Sequence, residues 1–411
     1  MKYLKVLAVI AVFSVLTAFF SESFFKERAD QTPPLSDGED DEKEQISEKN
    51  KDYSRFATEK ALLEGIEVSA RSAILCTADG RVIFEKNSGV SLPMASITKV
   101  MSVIIALENN SDLSASVLVP KQAVGIEGSS VYLTEGERVT LEMLIYSAML
   151  ESANDAVTAL AILTAGSLDA FVQLMNEKAR ALSMTATHFC NPHGLHESEH
   201  FTTARDYAVL MSYALENETF CKVIATKKAV FQKADGSMSR VLTNHNRLLN
   251  TCQGMLGGKT GFTKASGRTL VTAAKRNGTT LICVTIDAPS DWNDHTEMYQ
   301  KGFEAVKTVS FGKELTAEVP IAAGQSESVC AVLIEPIAFT VEANDEITYA
   351  VKLPHMAFAP IEGGETLGVA EFYKNGKLIK EVPLVAQATV GAVKKQENKG
   401  FIDKLLAFFG Q

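Results

Sequence analysis

The alternation of apolar and polar positions changes character several times along the chain. Lys2 and Lys5 precede an uncharged, largely apolar run from Val6 to Phe20, the pattern of an export signal, and Ser21 and Ser23 put a cleavage point at residue 23. Residues 24–55 hold few apolar side chains, Pro33-Pro34, and the acidic set Asp37, Glu39, Asp40, Asp41, Glu42 and Glu44. Too little is available for burial there to offset the entropy of ordering, so a solvated acidic linker is expected. From residue 56 the pattern becomes globular. Residues 73–77 and 82–85 flank Asp79-Gly80 and predict a hairpin, as do 269–274 and 279–286 around Asn277-Gly278. Helical patterns lie between them, over 95–107, 141–149 and 156–164. Ser167 can cap another helix to about 182, Thr202 or Thr203 one to 216, and a last helix is expected over 294–309.

Strands on both sides of a block of helices predict an α+β domain over 56–311, with helices packed on an antiparallel sheet built from both ends of the segment. After Gly312 the runs become short and alternating, over 316–321, 329–333, 347–351, 366–372 and 377–384. They predict a small all-β domain, a sandwich, over 312–392. Residues 393–411 end the chain. As a helix they gather Phe401, Ile402, Leu405, Leu406, Phe408 and Phe409 on one side, after Lys394, Lys395 and Lys399. That stretch is too short to span a bilayer and suits a helix lying on a membrane surface.

Composition narrows the function. The chain has 411 residues, 46% hydrophobic and 22% charged, enough for the cores of two or three folded units. A net charge of −10 argues against nucleic acid as a partner. The six cysteines (Cys76, Cys190, Cys221, Cys252, Cys283 and Cys330) are widely spaced with no CxxC pair, and mostly free thiols are expected. His188, Cys190, His193, His196 and His200 crowd one stretch, but their spacing matches no common zinc pattern. A loop at the rim of a site is expected there, and no metal or cofactor.

Three short motifs carry candidate chemistry. Ser96-Ile97-Thr98-Lys99 opens a helix, where residues three apart share a face. A serine hydroxyl needs a neighbour to take its proton, and Lys99 does so only when neutral, which burial and a nearby positive charge favour. Ser152-Ala153-Asn154 lies between two predicted helices, where Ser152 can pass a proton to a leaving amine and Asn154 can hold an amide. Lys259-Thr260-Gly261 follows Gly257-Gly258. Glycines let a strand lie against a substrate backbone. Lys259 would supply positive field and Thr260 a hydrogen bond to a carboxylate.

In this order the three motifs resemble the SxxK, SxN and KTG set of penicillin-recognising serine enzymes. The resemblance extends to Pro93-Met94-Ala95-Ser96, Glu151-Ser152-Ala153-Asn154-Asp155-Ala156, Asn191-Pro192-His193-Gly194-Leu195-His196, Thr202-Thr203-Ala204-Arg205-Asp206, Asn246-Arg247-Leu248-Leu249 and Asn375-Gly376-Lys377-Leu378-Ile379. The chain resembles the low-molecular-mass penicillin-binding proteins that act as serine-type D-alanyl-D-alanine carboxypeptidases, from about residue 56 onward. That resemblance implies a β-lactamase/transpeptidase-like domain with Ser96 as nucleophile, Lys99 as its base, and Ser152, Asn154 and Lys259 completing the catalytic set. It implies substrate contacts from Thr260, Gly261, Phe262 and Arg247, with an oxyanion hole from the N–H groups of Ser96 and Phe262. The implied partners are the peptidoglycan stem peptide and, as covalent inhibitors, β-lactam antibiotics. The implied place is the outer face of the cytoplasmic membrane. Two alternatives share the motifs: a penicillin-recognising sensor with little turnover, and a β-lactamase, although no Glu-x-x-Leu-Asn pattern lies between Asn154 and Lys259. Residues 291–295 lack the second arginine that some relatives place near the substrate carboxylate, which leaves Thr260 and Arg247 to bind it.

Overall fold

The computed structural model describes Phe56 and residues 61–232 and 239–394. The expected signal, the acidic linker and nearly all of the C-terminal amphipathic stretch lie outside the described residues.

Both predicted hairpins form, and they join in one sheet. Strands β1 (Ser72–Thr77), β2 (Val82–Lys86), β3 (Met255–Thr263), β4 (Gly267–Arg276) and β5 (Thr279–Ile286) are arranged in the order β2-β1-β5-β4-β3. The β1–β5 pair, Ser72 opposite Ile286 through Thr77 opposite Leu281, joins the two ends of the segment. Every residue of β1 is buried, because both faces of the sheet are covered. Ile74 and Cys76 point to one core, with Val271, Ile282 and Val284. Ala73 and Leu75 point to the other, with Leu281, Cys283, Met298 and Tyr299. This is the period-two alternation of a strand packed on both sides.

The first core holds a group of helices: α1 (Lys99–Asn109), α2 (Leu141–Leu150), α3 (Asn154–Ala165), α4 (Leu168–Ala181), α5 (Ala204–Ala214) and α6 (Glu218–Ala225); the short α7 (Leu248–Thr251) precedes β3. α8 (Asp291–Ala305) covers the opposite face. Ser167 and Thr203 are the caps of α4 and α5, accepting from the Ala170 and Asp206 amides at 3.1 and 3.0 Å. Each such cap contributes about 1 kcal/mol. α6, capped by Asn217, and a hairpin of Lys228–Gln232 with Ser239–Thr243 were not expected from the pattern.

The last helix departs from expectation in a way that matters for the boundary. It ends at Ala305, and Val306–Phe311 is a strand paired with Ile337–Glu342. Val306, Val309 and Phe311 read equally well as a helix face or as strand positions, and a partner distant in sequence settles the choice. A boundary at 311/312 falls just after this strand, whereas the pairing ties residues 306–311 to the β-rich segment. There, six strands are arranged in the order Ile347–Lys352, Thr366–Lys374, Lys377–Ala386, Ser328–Leu333, Thr316–Ala322, Ala357–Phe358. The two-stranded ribbon packs on them through Phe311 and Phe339, each with its ring 5.1 Å from that of Phe372. Among the described residues all six cysteines are free thiols.

Candidate active site

Ser96 lies in a single 3₁₀ turn, Ala95–Thr98, that runs into α1. The turn is held from three sides. The Thr98 hydroxyl donates to the Ala95 carbonyl at 2.7 Å and faces His200 Nε2 at 2.8 Å. Thr269 of β4 donates to the Met94 carbonyl at 3.0 Å. Ser102, one turn into α1, donates to the Pro192 carbonyl at 2.7 Å. Ala95 has φ +52 and Ser152 has φ +60. Non-glycine residues at such angles carry strain that the surrounding structure must enforce. Here they adjoin or form the two serines of the motifs.

Lys99 is fully buried beneath Ser96. Its Nζ lies 3.0 Å from Ser96 Oγ, 2.7 Å from Asn154 Oδ1 and 2.6 Å from the His193 carbonyl. Burial and then the neighbouring charge of Lys259 push its pKa well below the ordinary lysine value, against an opposing effect of Asp155. A neutral amine has two N–H groups and one lone pair. With the N–H groups on Asn154 and His193, the lone pair is left for the Ser96 proton.

Asn154 opens α3, and its Nδ2 donates to the Glu127 carbonyl at 2.6 Å. Asp155, also buried, accepts from the amides of Val131 and Leu133 at 3.2 and 2.9 Å and from the Ser130 hydroxyl at 2.7 Å. The start of α3 thus anchors the 127–133 loop beside the site. Lys259 on β3 is buried, and burial lowers its pKa to about 7. Its Nζ donates to the Thr260 carbonyl at 2.8 Å. Gly261 follows. A Cβ built there would lie 2.8 Å from the Ser96 amide nitrogen, so only glycine lets β3 approach the Ser96 turn this closely.

A cleft of about 560 Å³ opens over these groups, lined in part by Ser96, Ser152, Arg247, Thr260, Gly261 and Phe262. Every expected site residue therefore lines the cleft or is buried next to it. The structure adds others: His245, Arg268, Asp291 and Trp292 line the same cleft. Of these, Asp291 and Trp292 fall in the 291–295 stretch that lacks an arginine, and the sequence pattern singles out neither His245 nor Arg268.

The Asn191–His196 stretch is not merely a rim. Asn191 braces it by accepting from the Gly194 amide at 2.7 Å and donating to the Leu195 carbonyl at 2.9 Å, and the loop presents the His193 carbonyl to Lys99. His193 and His200 are pushed down to about 3 and about 4, chiefly by burial, and are neutral. His188 Nδ1 lies 2.7 Å from the Glu199 carbonyl and His200 bonds Thr98, so these rings are engaged inside the loop. Among the described residues no group of three His, Cys, Asp or Glu side chains is placed to hold a metal ion.

The D-alanyl-D-alanine carboxypeptidase family profile matches residues 56–290, and that of the penicillin-binding protein 5 C-terminal domain matches 303–392. D-alanyl-D-alanine carboxypeptidase DacF of Bacillus subtilis is 30% identical over 331 residues, 77% of this chain and 85% of the relative. DacC of Escherichia coli is 30% identical over 383 residues, 86% of this chain and 90% of the relative. The crystal structure of penicillin-binding protein 5 from Haemophilus influenzae shares the fold with a TM-score of 0.62 at 24% identity, covering 80% of this chain and 99% of that one. The chain belongs to the D-alanyl-D-alanine carboxypeptidases, serine hydrolases of the penicillin-binding protein family.

Proposed function

We propose that this protein removes the terminal D-alanine from peptidoglycan stem peptides through an acyl-enzyme on Ser96. The observation that carries the reading is the contact between the Lys99 amine and the Ser96 hydroxyl at 3.0 Å, with the amine fully buried and its charge disfavoured. Lys99 takes the hydroxyl proton as Oγ attacks the penultimate D-alanine carbonyl. The oxyanion sits against the N–H groups of Ser96 and Phe262. A proton passes through Ser152 to the departing amine, the C–N bond breaks, and D-alanine leaves. Water then cleaves the ester and regenerates Ser96. β3 is the edge strand of its sheet, so part of its backbone is free to pair with an extended peptide. A β-lactam follows the same first step. Its leaving nitrogen stays tethered to the acyl group, which supports slow release and the family's penicillin binding.

The substrate lies outside the cytoplasmic membrane, so the reading includes export, in line with the apolar run behind Lys2 and Lys5. It also includes attachment of the C-terminal amphipathic stretch to the membrane surface. Release of D-alanine from diacetyl-L-Lys-D-Ala-D-Ala, measured alongside the mass of the penicillin adduct, tests the activity. An adduct without D-alanine release would replace the carboxypeptidase with a penicillin-recognising sensor. Truncation before residue 393 should move the mature protein from the membrane fraction to the soluble one, and retention there would refute that attachment.

A further inference from the structure

The proposed reaction, on which this inference rests, needs a fixed cation for the carboxylate of the departing D-alanine. Buried Lys259 donates to its own strand. Of the other basic side chains lining the cleft, His245 faces Glu151, with Nε2 3.2 Å from Oε2. Arg247 is exposed, and its guanidinium makes no hydrogen bond among the described residues. It would have to be ordered by each substrate as it binds.

Arg268 is held in advance. Its Nε donates to Asp291 Oδ1 at 3.0 Å, and that carboxylate is only 2% exposed. Its guanidinium carbon lies 5.7 Å from the centre of the Trp292 ring. A buried anion and an aromatic ring thus restrict the guanidinium before any ligand arrives, which lowers the entropic cost of binding. The hydrogen bond to Asp291 uses Nε, and Nη1 and Nη2 make no hydrogen bond among the described residues. The strand register aims the group. Arg268 stands opposite Phe262 in the β3–β4 pair, so Thr260 is its diagonal neighbour on the same face of the sheet. Diagonal Cβ atoms are roughly 7–8 Å apart, within reach of a long side chain.

We propose that Arg268 is a specificity-determining residue, whose Nη1 and Nη2 receive the substrate's terminal carboxylate together with the Thr260 hydroxyl. Asp291 and Trp292 are its positioning residues. The cation absent from residues 291–295 is delivered from the adjacent strand, and Thr260 and Arg247 do not carry the carboxylate alone.

The test uses the full chain and two D-alanyl thioesters that differ only in the leaving thiol, one ending in a carboxylate and one in a methyl group. The quantity read is the ratio of their kcat/KM values. Arg268→Gln should lower this ratio about 100-fold, the effect of losing a charge-assisted fork. Arg268→Lys should restore part of it by keeping the charge. Asp291→Asn leaves the arginine in place but loosens it, and should lower the ratio about 10-fold through KM. A wild-type ratio in Arg268→Gln overturns the proposal, and so does a ratio that falls in Arg247→Gln while Arg268→Gln keeps it. Turnover of neither thioester by the wild type overturns the carboxypeptidase reading itself; turnover with an unchanged ratio in the variants overturns the role of Arg268 alone.

Discussion

Gly194 packs its α-carbon against the backbone carbonyl of Ala95, the residue immediately before Ser96. A Cβ on Gly194 would overlap that carbonyl oxygen and lie 2.9 Å from the Ser96 amide nitrogen. Both residues sit at positive φ, +89 and +52. The loop that presents the His193 carbonyl to Lys99 is therefore pressed onto the turn that carries Ser96, and backbone atoms on both sides leave no room to yield. Gly194→Ala should cost about 2–4 kcal/mol of stability and slow acylation by moving Ser96 relative to Lys99. Thermal melting and penicillin acylation rates check this. If both match the wild type, the loop does not constrain the nucleophile.

Ser96→Ala should abolish both D-alanine release and covalent labelling by penicillin, since it removes the cleft hydroxyl that the buried Lys99 amine reaches at 3.0 Å. Intact-mass analysis after incubation with penicillin reads the result. A persistent adduct would move the nucleophile elsewhere.

Lys99→Met keeps much of the buried volume and removes the proton acceptor. Acylation should fall by about 10²–10⁴-fold, the usual contribution of a positioned base. Stopped-flow acylation by a chromogenic β-lactam measures it, and a loss under tenfold would assign the proton to another group.

Lys259 has a second, thermodynamic consequence. Its folded pKa is lowered from 10.5 to about 7. Between those values the unfolded chain holds a proton that the folded chain does not, so the unfolding free energy rises with pH. The slope from this one group is about 1.4 kcal/mol per pH unit in that window. Lys259→Met should therefore show a shallower rise than the wild type between pH 7.5 and 9.5 in denaturant titrations. Parallel slopes would mean that Lys259 is charged in the folded protein.

The elements legible in the chain were those specified by contacts between near neighbours. The Asp79-Gly80 and Asn277-Gly278 turns, the caps at Ser167 and Thr203, and the SxxK spacing of Ser96 and Lys99 act within a few residues, so the order of residues is enough to show them. The end of α8 was misread because Val306–Phe311 chooses between helix and strand only when Ile337–Glu342 arrives to pair with it. Hydrophobic period alone does not decide so short a run.

The same division runs through the active site. Which side chains are chemically competent follows from their type and local spacing: a serine with a lysine one turn on, a second serine with an asparagine, a lysine before a threonine and glycine. Which of them meet, and in what state of charge, depends on folding. Joining β1 to β5 and laying β3 against the Ser96 turn brings together groups far apart in the chain, and burial then removes the water that would keep Lys99 protonated. Arg268 is nothing more than a strand residue until Asp291 and Trp292 fold up beside it, because direction and desolvation are properties of a surrounding space that no short stretch of chain encloses.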